Sequence, residues 1–300
     1  MNKITQTWLG AYIDSVNKVL SECEYLRYTD CYRDKVIEAE KYSVSAGGKR
    51  IRPVLCMAFY DLFGGREDIS EIASCLELMH TFSLIHDDMP EMDNDSLRRG
   101  KPSTHAAYGA DVALLAGDGL SILPFQIISE NALAGKIDLK TAAKLTQVLS
   151  EAAGHRGMIM GQMMDIYSEG RANEVSVEFL TEMSRLKTGC LLRASCLFGS
   201  ILAGADDSRL DNAAEYADNL GLAFQIVDDV LDVTGDEKLL GKPTGSDLER
   251  NKPTFADILG IDKAKKLAAS YTRRAISAIS LYQGSEFLSE LALGLVDRKI

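Results

Sequence analysis

The sequence predicts an all-α fold. Apolar residues recur at helical spacing along most of the chain, alternating runs are scarce, and no proline occurs between Phe125 and Lys242. Proline interrupts helices, and strict alternation is the pattern of a half-buried strand, so both observations favour helices. The chain has 300 residues, only 6 prolines and no Ser/Gly-rich linker. We therefore expect one domain over residues 1–300.

Apolar residues at steps of three and four predict the first helix: Leu9, Ile13, Val16 and Leu20. A second helix is expected to begin at Pro53, because proline suits a first helical turn, and to end at Gly64 and Gly65. The same spacing predicts a third helix, marked by Ile72, Leu76, Met79 and Ser83.

A long helix is predicted in the C-terminal half by an apolar stripe: Ala217, Leu220, Phe224, Val227 and Leu231. This helix and the third one each run directly into a cluster of aspartates. The two clusters are the most unusual feature of the chain, because each places several negative charges at the end of an apolar face.

Charge and composition exclude several classes of protein. A formal net charge of -11 argues against non-specific nucleic-acid binding, which needs a basic surface. The six cysteines form no CxxC pair, which favours free thiols in a reducing compartment. The N-terminus lacks the apolar run of a secretory signal, and we expect no membrane span. Together these features predict a cytoplasmic protein.

The first acidic cluster, SLIHDDMPEMDNDSLRRG (83–100), contains Asp87, Asp88 and Asp93. Pro90 disfavours the helical conformation at the residue before it and disrupts the helix ladder. A break there would bring Asp93 back towards Asp87, whereas an uninterrupted helix would separate them. The alternative is an ordinary solvated helix end.

The second cluster, FQIVDDVLDVTGD (224–236), contains Asp228, Asp229 and Asp232. On a helix Asp228 and Asp232 share a face, with Gln225 one turn earlier on the same side. Inward carboxylates repel one another unless cations separate them. Hard divalent cations such as Mg²⁺ prefer oxygen ligands and complete their shell with water and substrate phosphate. Two such clusters favour magnesium over two solvated helix ends.

Basic residues recur beside glycine or hydroxyl residues, most densely in the segment GGKRIRP (47–53), which precedes a predicted helix N-terminus. Helix N-termini and arginines both bind phosphate groups. The segment matches neither the GxxxxGK[ST] loop nor GxGxxG. Two carboxylate clusters and several basic sites predict a cavity for a magnesium-bound polyanion and a second anion.

These motifs resemble the trans-isoprenyl diphosphate synthases, most closely the bacterial farnesyl diphosphate synthase type. The likeness runs almost from end to end, through GGKRIRP, LIHDDMPEMDNDSLRRGKPSTH, AGDGL, GMIMGQMMDI, LKTG, FQIVDDVLDVTGD and GKPTGSD. The resemblance implies a helical bundle around a central cavity, with the aspartate motifs on opposite walls. It also implies a homodimer and three Mg²⁺ ions with substrate, Mn²⁺ being the alternative metal.

The resemblance assigns a role to particular residues by matching position. The metal ligands and their support are Asp87, Asp88, Asp93, Asp228, Asp229 and Asp232. The residues for the allylic diphosphate are Arg98, Lys187, Thr188, Gln225, Lys242 and Lys252. The residues for isopentenyl diphosphate are Gly48, Lys49, Arg52, His80 and Arg99.

The implied reaction is a head-to-tail condensation of isopentenyl diphosphate with dimethylallyl or geranyl diphosphate through an allylic carbocation. Cations stabilise the departing diphosphate, and apolar walls keep water from the carbocation. No protein nucleophile is needed, which agrees with the lack of a Ser-His-Asp or Cys-His arrangement.

Product length is predicted from Phe82 and Ser83, the residues five and four positions before Asp87. One helical turn advances about 5.4 Å, so a bulky Phe82 would lie a little over one turn below the metals. It would block a long tail, which favours the C15 farnesyl product. The alternative is that Phe82 only packs between helices.

Competing functions remain at this point. A geranylgeranyl or geranyl diphosphate synthase of the same family is the main alternative. A terpene cyclase would normally carry a different second metal motif and lack GGKRIRP. A non-catalytic partner subunit is disfavoured because both aspartate motifs are intact.

Overall fold

The computed structural model describes residues 1–29, 31–171, 174–234 and 252–296. Helices dominate it, as the sequence predicts. In chain order they are α1 (Lys3–Glu22), α2 (Lys35–Val44), α3 (Ile51–Leu62), α4 (Ser70–Asp87), α5 (Thr104–Tyr108), α6 (Ala110–Leu133), α7 (Leu139–Ala153), α8 (Met158–Ser168), α9 (Val177–Ser184), α10 (Cys190–Leu202), α11 (Asp207–Thr234), α12 (Phe255–Leu259), α13 (Ile261–Ile279) and α14 (Glu286–Val296). Short 3₁₀ turns cover Glu24–Leu26 and Tyr32–Asp34, and one π-helical turn covers Arg185–Gly189.

In the described ranges, β-structure is limited to a two-stranded hairpin after α4. Strand β1 (Leu97–Arg98) pairs antiparallel with β2 (Lys101–Pro102). The two loop residues, Arg99 and Gly100, have φ of 54° and 75°. Two-residue hairpins prefer turns with positive φ at both central positions, which glycine adopts readily. The hairpin therefore holds the two consecutive arginines of the first acidic cluster in defined positions.

The chain divides into two compact units that each draw on separate stretches of sequence. One unit contains Leu9–Met57 and Glu67–Thr146, and the other contains Met1–Trp8, Ala58–Arg66 and Gln147–Ile300. The prediction of a single domain over 1–300 stays a prediction.

The unit with α4 is built around the packing of α4 on α6, with α2 and α5 against α6 as well. Glycines of α6 allow close contact with polar side chains of α2 and α4. A Cβ at Gly117 would lie 2.2 Å from Nε2 of His86, and one at Gly119 would lie 2.1 Å from Oε1 of Glu40. Larger residues would push these elements apart, which explains two glycines within the AGDGL motif.

The other unit is centred on α11, which packs along α13 and also contacts α10, α12 and the π-helical turn. One apolar cluster along α11 includes Val227, Val230 and Leu231. Tyr216, which is fully buried, donates to the carbonyl oxygen of Leu288 at 2.8 Å and packs edge-on against Phe59. The predicted apolar stripe is thus the core face of α11.

One sequence prediction needs correction. The second predicted helix begins at Ile51 rather than Pro53, because Arg50, with φ of 50°, ends the preceding irregular segment.

Helix α6 is long and apolar enough to cross a membrane by length and composition alone, so the expectation of no membrane span stays a prediction. One face of this helix packs on α2, α4 and α5 within its unit.

Candidate active site

The first aspartate motif lies where α4 ends. Asp87 is the last residue of the helix. Beyond Pro90 the chain returns, and the backbone amide of Asp93 donates to the carbonyl oxygen of Asp87 at 2.9 Å. A regular α-helical hydrogen bond would run four residues back instead. The break therefore brings Asp93 towards Asp87, as the sequence predicts, while metal binding by the two stays a prediction.

Asp88 points into its unit and pairs with Arg98 of β1. Asp88 is 2% exposed, and Nε of Arg98 lies 3.0 Å from its Oδ1. Burial raises the pKa of Asp88, although Arg98 opposes this. Burial alone would lower the pKa of Arg98, but the hydrogen bond and charge of Asp88 raise it above its ordinary value. The side chain of Arg98 is therefore held by this ion pair.

Arg99 turns towards the GGKRIRP segment. Its Nη1 donates to the carbonyl oxygen of Gly47. Its guanidinium also lies against Gly48, where a Cβ would stand 2.7 Å from Cζ of Arg99. Gly48 has φ of +126°, a conformation that residues with side chains rarely adopt. Gly48 therefore supplies both the turn and the space for Arg99.

Arg50 of the same segment is a structural cation. It is 4% exposed and donates to Oε1 of Glu77 at 2.6 Å, to the carbonyl oxygen of Val44 and to the side chain of Asn17. Nη2 of Arg99 lies 3.8 Å from the same oxygen of Glu77. Glu77 is thus the buried counter-ion of two arginines.

Arg52 and His80 have the properties expected of an anion site. Nε of Arg52 is buried and lacks a hydrogen-bond partner among the described residues. Burial lowers the pKa of Arg52 to about 10. The charge of Arg99 lowers this pKa further, and the charge of Glu77 raises it. Arg52 therefore stays charged at neutral pH. Burial and the nearby arginines hold the pKa of His80 well below its ordinary value. Lys49 is exposed.

Phe82 and Ser83 lie near the end of α4 and are half-buried. The ring of Phe82 packs edge-on against His86, with 5.0 Å between ring centroids. Nε2 of His86 in turn lies 3.1 Å from the carbonyl oxygen of Leu114 in α6. Phe82 therefore packs against His86, a residue of α4 that also contacts α6. Ser83 donates back to the carbonyl oxygen of His80 at 2.8 Å.

The second aspartate motif lies in the last turns of α11. Asp232 is 4% exposed, and neither of its carboxylate oxygens has a hydrogen-bond partner in the described part of the chain. Asp228, one turn earlier on the same face, is half-buried. A buried carboxylate without a partner is costly unless a cation or water satisfies it. This pair of aspartates is the part of the motif best suited to a cation.

Asp229 has a different environment. Its Oδ1 accepts from Nε2 of Gln225 at 2.9 Å, and its Oδ2 accepts from the backbone amide of Phe255, the first residue of α12, at 2.9 Å. Gln225 accepts in turn from the hydroxyl of Thr188 at 3.2 Å. Gln225 thus contacts Asp229 rather than Asp228 or Asp232, and Asp229 joins α11 to α12.

Two predicted diphosphate ligands meet at one carboxylate. Nζ of Lys187 and Nζ of Lys252 lie 2.7 and 2.9 Å from Oδ2 of Asp165, which is 6% exposed. Glu169 lies 3.3 Å from Nζ of Lys252. Burial alone would raise the pKa of Asp165, but the two lysines lower it below its ordinary value. The other predicted lysine, Lys242, lies outside the described residues.

Glu77 and Asp165 bind these cations but were not among the site residues assigned from the sequence. The sequence around each of them contains a pattern that could have identified it. Glu77 is an isolated acid in the apolar run ASCLELM, and Asp165 ends the apolar stretch of GMIMGQMMDI. An acid on a buried helix face needs a cation nearby, but the sequence did not show which cation.

The donor atoms fit magnesium in chemistry. Aspartate oxygens are the ligands that Mg²⁺ prefers, and it keeps several waters and uses one or two carboxylates together with substrate phosphate. Asp232 offers two buried oxygens without a partner in the described residues. Over those same residues, no group of three or more His, Cys, Asp or Glu side chains is assembled for a metal. Water and diphosphate oxygens would complete the shell.

Comparison with known proteins gives consistent matches. The polyprenyl synthetase family model matches residues 33–281. The large subunit 1 of a heterodimeric chloroplastic geranylgeranyl pyrophosphate synthase from Arabidopsis thaliana is 41% identical over 280 residues, covering 93% of this chain and 74% of that protein. Other relatives of similar identity are also named geranylgeranyl synthases.

Solved structures agree over nearly the full chain. An FPP/GFPP synthase from Zymomonas mobilis has a TM-score of 0.87 at 33% identity, covering 99% of this chain and 100% of that one. A geranyltransferase from Helicobacter pylori, complexed with magnesium and isoprenyl diphosphate, has a TM-score of 0.81 at 31% identity, covering 97% and 96%. The all-α prediction is confirmed, and the chain belongs to the polyprenyl synthetase family of prenyltransferases.

Proposed function

We propose that this chain catalyses the magnesium-dependent condensation of isopentenyl diphosphate with an allylic diphosphate. The observation that carries the proposal is Asp232, a buried carboxylate with two oxygens lacking a partner among the described residues, one turn from Asp228. A bound cation would stabilise such a carboxylate, and the chain belongs to a family of prenyltransferases. The Helicobacter pylori relative, whose structure contains magnesium and isoprenyl diphosphate, supports magnesium as that cation.

The metal ligands we propose are Asp87, Asp93, Asp228 and Asp232. Bound Mg²⁺ would neutralise charge on the diphosphate as it leaves. Asp88 and Asp229 act indirectly in this proposal, because each already accepts hydrogen bonds from protein groups. Asp88 holds the side chain of Arg98 in position, and Asp229 holds the side chain of Gln225 in position.

The remaining polar residues divide between two anions. Lys187 and Lys252 bind the allylic diphosphate, with Arg98, Thr188, Gln225 and Lys242 assigned to the same substrate. Gly48, Lys49, Arg52, His80 and Arg99 bind isopentenyl diphosphate. Two observations support this second assignment: Nε of Arg52 has no partner among the described residues, and the ring of His80 is held neutral by its surroundings.

The reaction follows from these roles. The electron pair of the allylic C–O bond leaves with the diphosphate, whose growing negative charge is stabilised by lysine and arginine. The double bond of isopentenyl diphosphate attacks the resulting carbocation, and a proton is then lost to the released diphosphate. In this proposal His80, which its surroundings keep neutral, would donate a hydrogen bond to isopentenyl diphosphate without adding positive charge.

The product that we propose is geranylgeranyl diphosphate (C20), because the curated relatives are named for that activity. The sequence predicts that the ring of Phe82 forms the pocket floor. Its contact with His86 instead supports the alternative, that the ring only packs between side chains. Farnesyl diphosphate (C15) is the second candidate. It is supported by the bulk of Phe82 itself and by the FPP/GFPP synthase from Zymomonas mobilis.

A direct assay tests the reaction and the product together. The purified chain is incubated with Mg²⁺, dimethylallyl diphosphate and labelled isopentenyl diphosphate, and the dephosphorylated products are sized. We expect a C20 product that disappears with EDTA. A C15 end product would favour the second candidate, and no incorporation by the chain alone would favour a partner subunit.

We also propose that the chain works as a homodimer in the cytoplasm. Apolar side chains exposed on α6 support an interface, since Leu114, Leu115 and Ile122 are 45%, 54% and 65% exposed. The Arabidopsis thaliana relative is named as a subunit of a heterodimer, so a different partner is the alternative. Light scattering of the purified chain distinguishes a homodimer from a monomer that awaits a partner.

A further inference from the structure

We propose that Asp165 is a positioning residue for the allylic diphosphate, holding Lys187 and Lys252 side by side before the substrate binds. The proposal rests on the proposed function, which assigns both lysines to that diphosphate. The sequence motifs gave Asp165 no role of its own. The observation that carries the inference is that one buried carboxylate oxygen accepts hydrogen bonds from both lysines, at 2.7 and 2.9 Å.

The geometry brings lysines from distant parts of the chain to one point. Lys187 belongs to the π-helical turn Arg185–Gly189, and Lys252 precedes α12. Gly161 lies one turn before Asp165 on the same face of α8. A Cβ at Gly161 would lie 2.1 Å from the backbone nitrogen of Lys187, so the absence of a side chain lets the turn touch α8. Because the backbone of Lys187 lies against Gly161, its side chain can reach Asp165 one turn further along α8.

Electrostatics explain why a carboxylate is needed there. The two ammonium groups bind the same oxygen of Asp165, so they lie near each other and their positive charges repel. The side chain of Lys252 is only 9% exposed, so water screens little of this repulsion. Asp165 stays ionised because the lysines lower its pKa. It therefore offsets the repulsion between the two ammonium groups and holds them close together.

Asp165 brings one negative charge to two lysines, so these three side chains together carry a net positive charge that suits a polyanion. Glu169 approaches Lys252 at 3.3 Å but is 40% exposed, which weakens its effect. A diphosphate can contact both ammonium groups while Asp165 continues to hold them from the other side. Substrate binding then needs little reordering of two flexible side chains, which otherwise costs affinity.

The test measures binding of inorganic diphosphate with Mg²⁺ by calorimetry, together with steady-state kinetics. We expect Asp165→Asn to weaken diphosphate binding about tenfold or more, because the two lysines lose the shared carboxylate oxygen that holds them side by side and must be ordered by the ligand instead. The KM for the allylic diphosphate should rise while that for isopentenyl diphosphate stays nearly constant. Asp165→Glu should restore part of the affinity. Unchanged or tighter diphosphate binding in Asp165→Asn would overturn the proposal.

Two further measurements separate positioning from a structural role. In a Lys187→Ala/Lys252→Ala background, Asp165→Asn should cause no additional loss of diphosphate binding, whereas an additive loss contradicts positioning. Glu182→Gln removes a carboxylate from an exposed pair with Arg185 and serves as the matched control. It should bind diphosphate as the wild type does.

The outcomes also separate this inference from the proposed function. A wild-type chain that forms prenyl product while Asp165→Asn binds diphosphate normally contradicts only the role of Asp165. A wild-type chain that neither binds diphosphate nor forms product contradicts both.

Discussion

The backbone amide of Asp93 donates to the carbonyl oxygen of Asp87 at 2.9 Å, across the break at Pro90. Without that break, continued helix would direct residues six apart towards different faces. The turn thus gives the first aspartate motif its shape through backbone geometry, before any metal is considered. It also explains why the first motif can have four residues between Asp88 and Asp93, whereas the second motif, on the continuous helix α11, has two between Asp229 and Asp232.

Asp87→Ala and Asp228→Ala should each lower kcat by about 100-fold or more, because each removes a proposed metal ligand that stabilises the departing diphosphate. Steady-state assays at saturating Mg²⁺ measure this loss. Asp111→Ala, which removes an exposed aspartate from the first turn of α6, is the control and should turn over normally. Near-normal kcat in either site variant would refute the metal assignment.

Asp232→Asn tests the second motif through stability as well as activity. The carboxylate of Asp232 is buried without a hydrogen-bond partner in the described residues. Replacing it with a neutral amide should leave the melting temperature in EDTA unchanged or higher, since an uncompensated charge is removed. The stabilisation that Mg²⁺ and diphosphate together give the wild type should be smaller in the variant. Equal stabilisation in both proteins would count against Asp232 as a ligand.

Much of the architecture was predictable because it depends on local patterns. The apolar stripe of α11 and the end of α4 at the acidic cluster follow from side-chain spacing. The pairing of cations with acids was not predictable, because it depends on contacts between residues far apart in sequence. Arg50 and Arg52 look alike in GGKRIRP, yet Arg50 is bound to Glu77 while Nε of Arg52 has no partner in the described residues. The same limit concealed the contacts of Asp165 with Lys187 and Lys252.

Glu77→Gln should lower the free energy of unfolding by about 3–5 kcal/mol, because it leaves Arg50 buried without its counter-ion. Urea denaturation measures the change. Glu71→Gln, on the same helix, removes a carboxylate from an exposed pair with Lys136 and should change stability by less than about 1 kcal/mol. Equal effects of the two substitutions would show that the buried pair contributes no more than the exposed one.

Phe82→Ala tests which residue limits product length. We expect the longest product of the variant to match that of the wild type, because the ring packs against His86 rather than standing alone below the metals. Sizing of dephosphorylated products from parallel incubations gives the comparison. A product longer by one or more five-carbon units would instead identify Phe82 as the pocket floor and support the farnesyl candidate.

Glu40 should make stability depend on pH. It is 7% exposed and lies against Gly119, and burial raises its pKa from 4.5 to about 7. An acid with a raised folded-state pKa contributes full stability below its unfolded value of 4.5. That stability is lost as the pH rises through about 7, up to about 3 kcal/mol in all. Glu40→Gln should unfold with less dependence on pH between 4.5 and 8, as measured by urea denaturation at each pH. A variant whose pH profile matches the wild type would show that Glu40 ionises as freely in the folded chain as in the unfolded one.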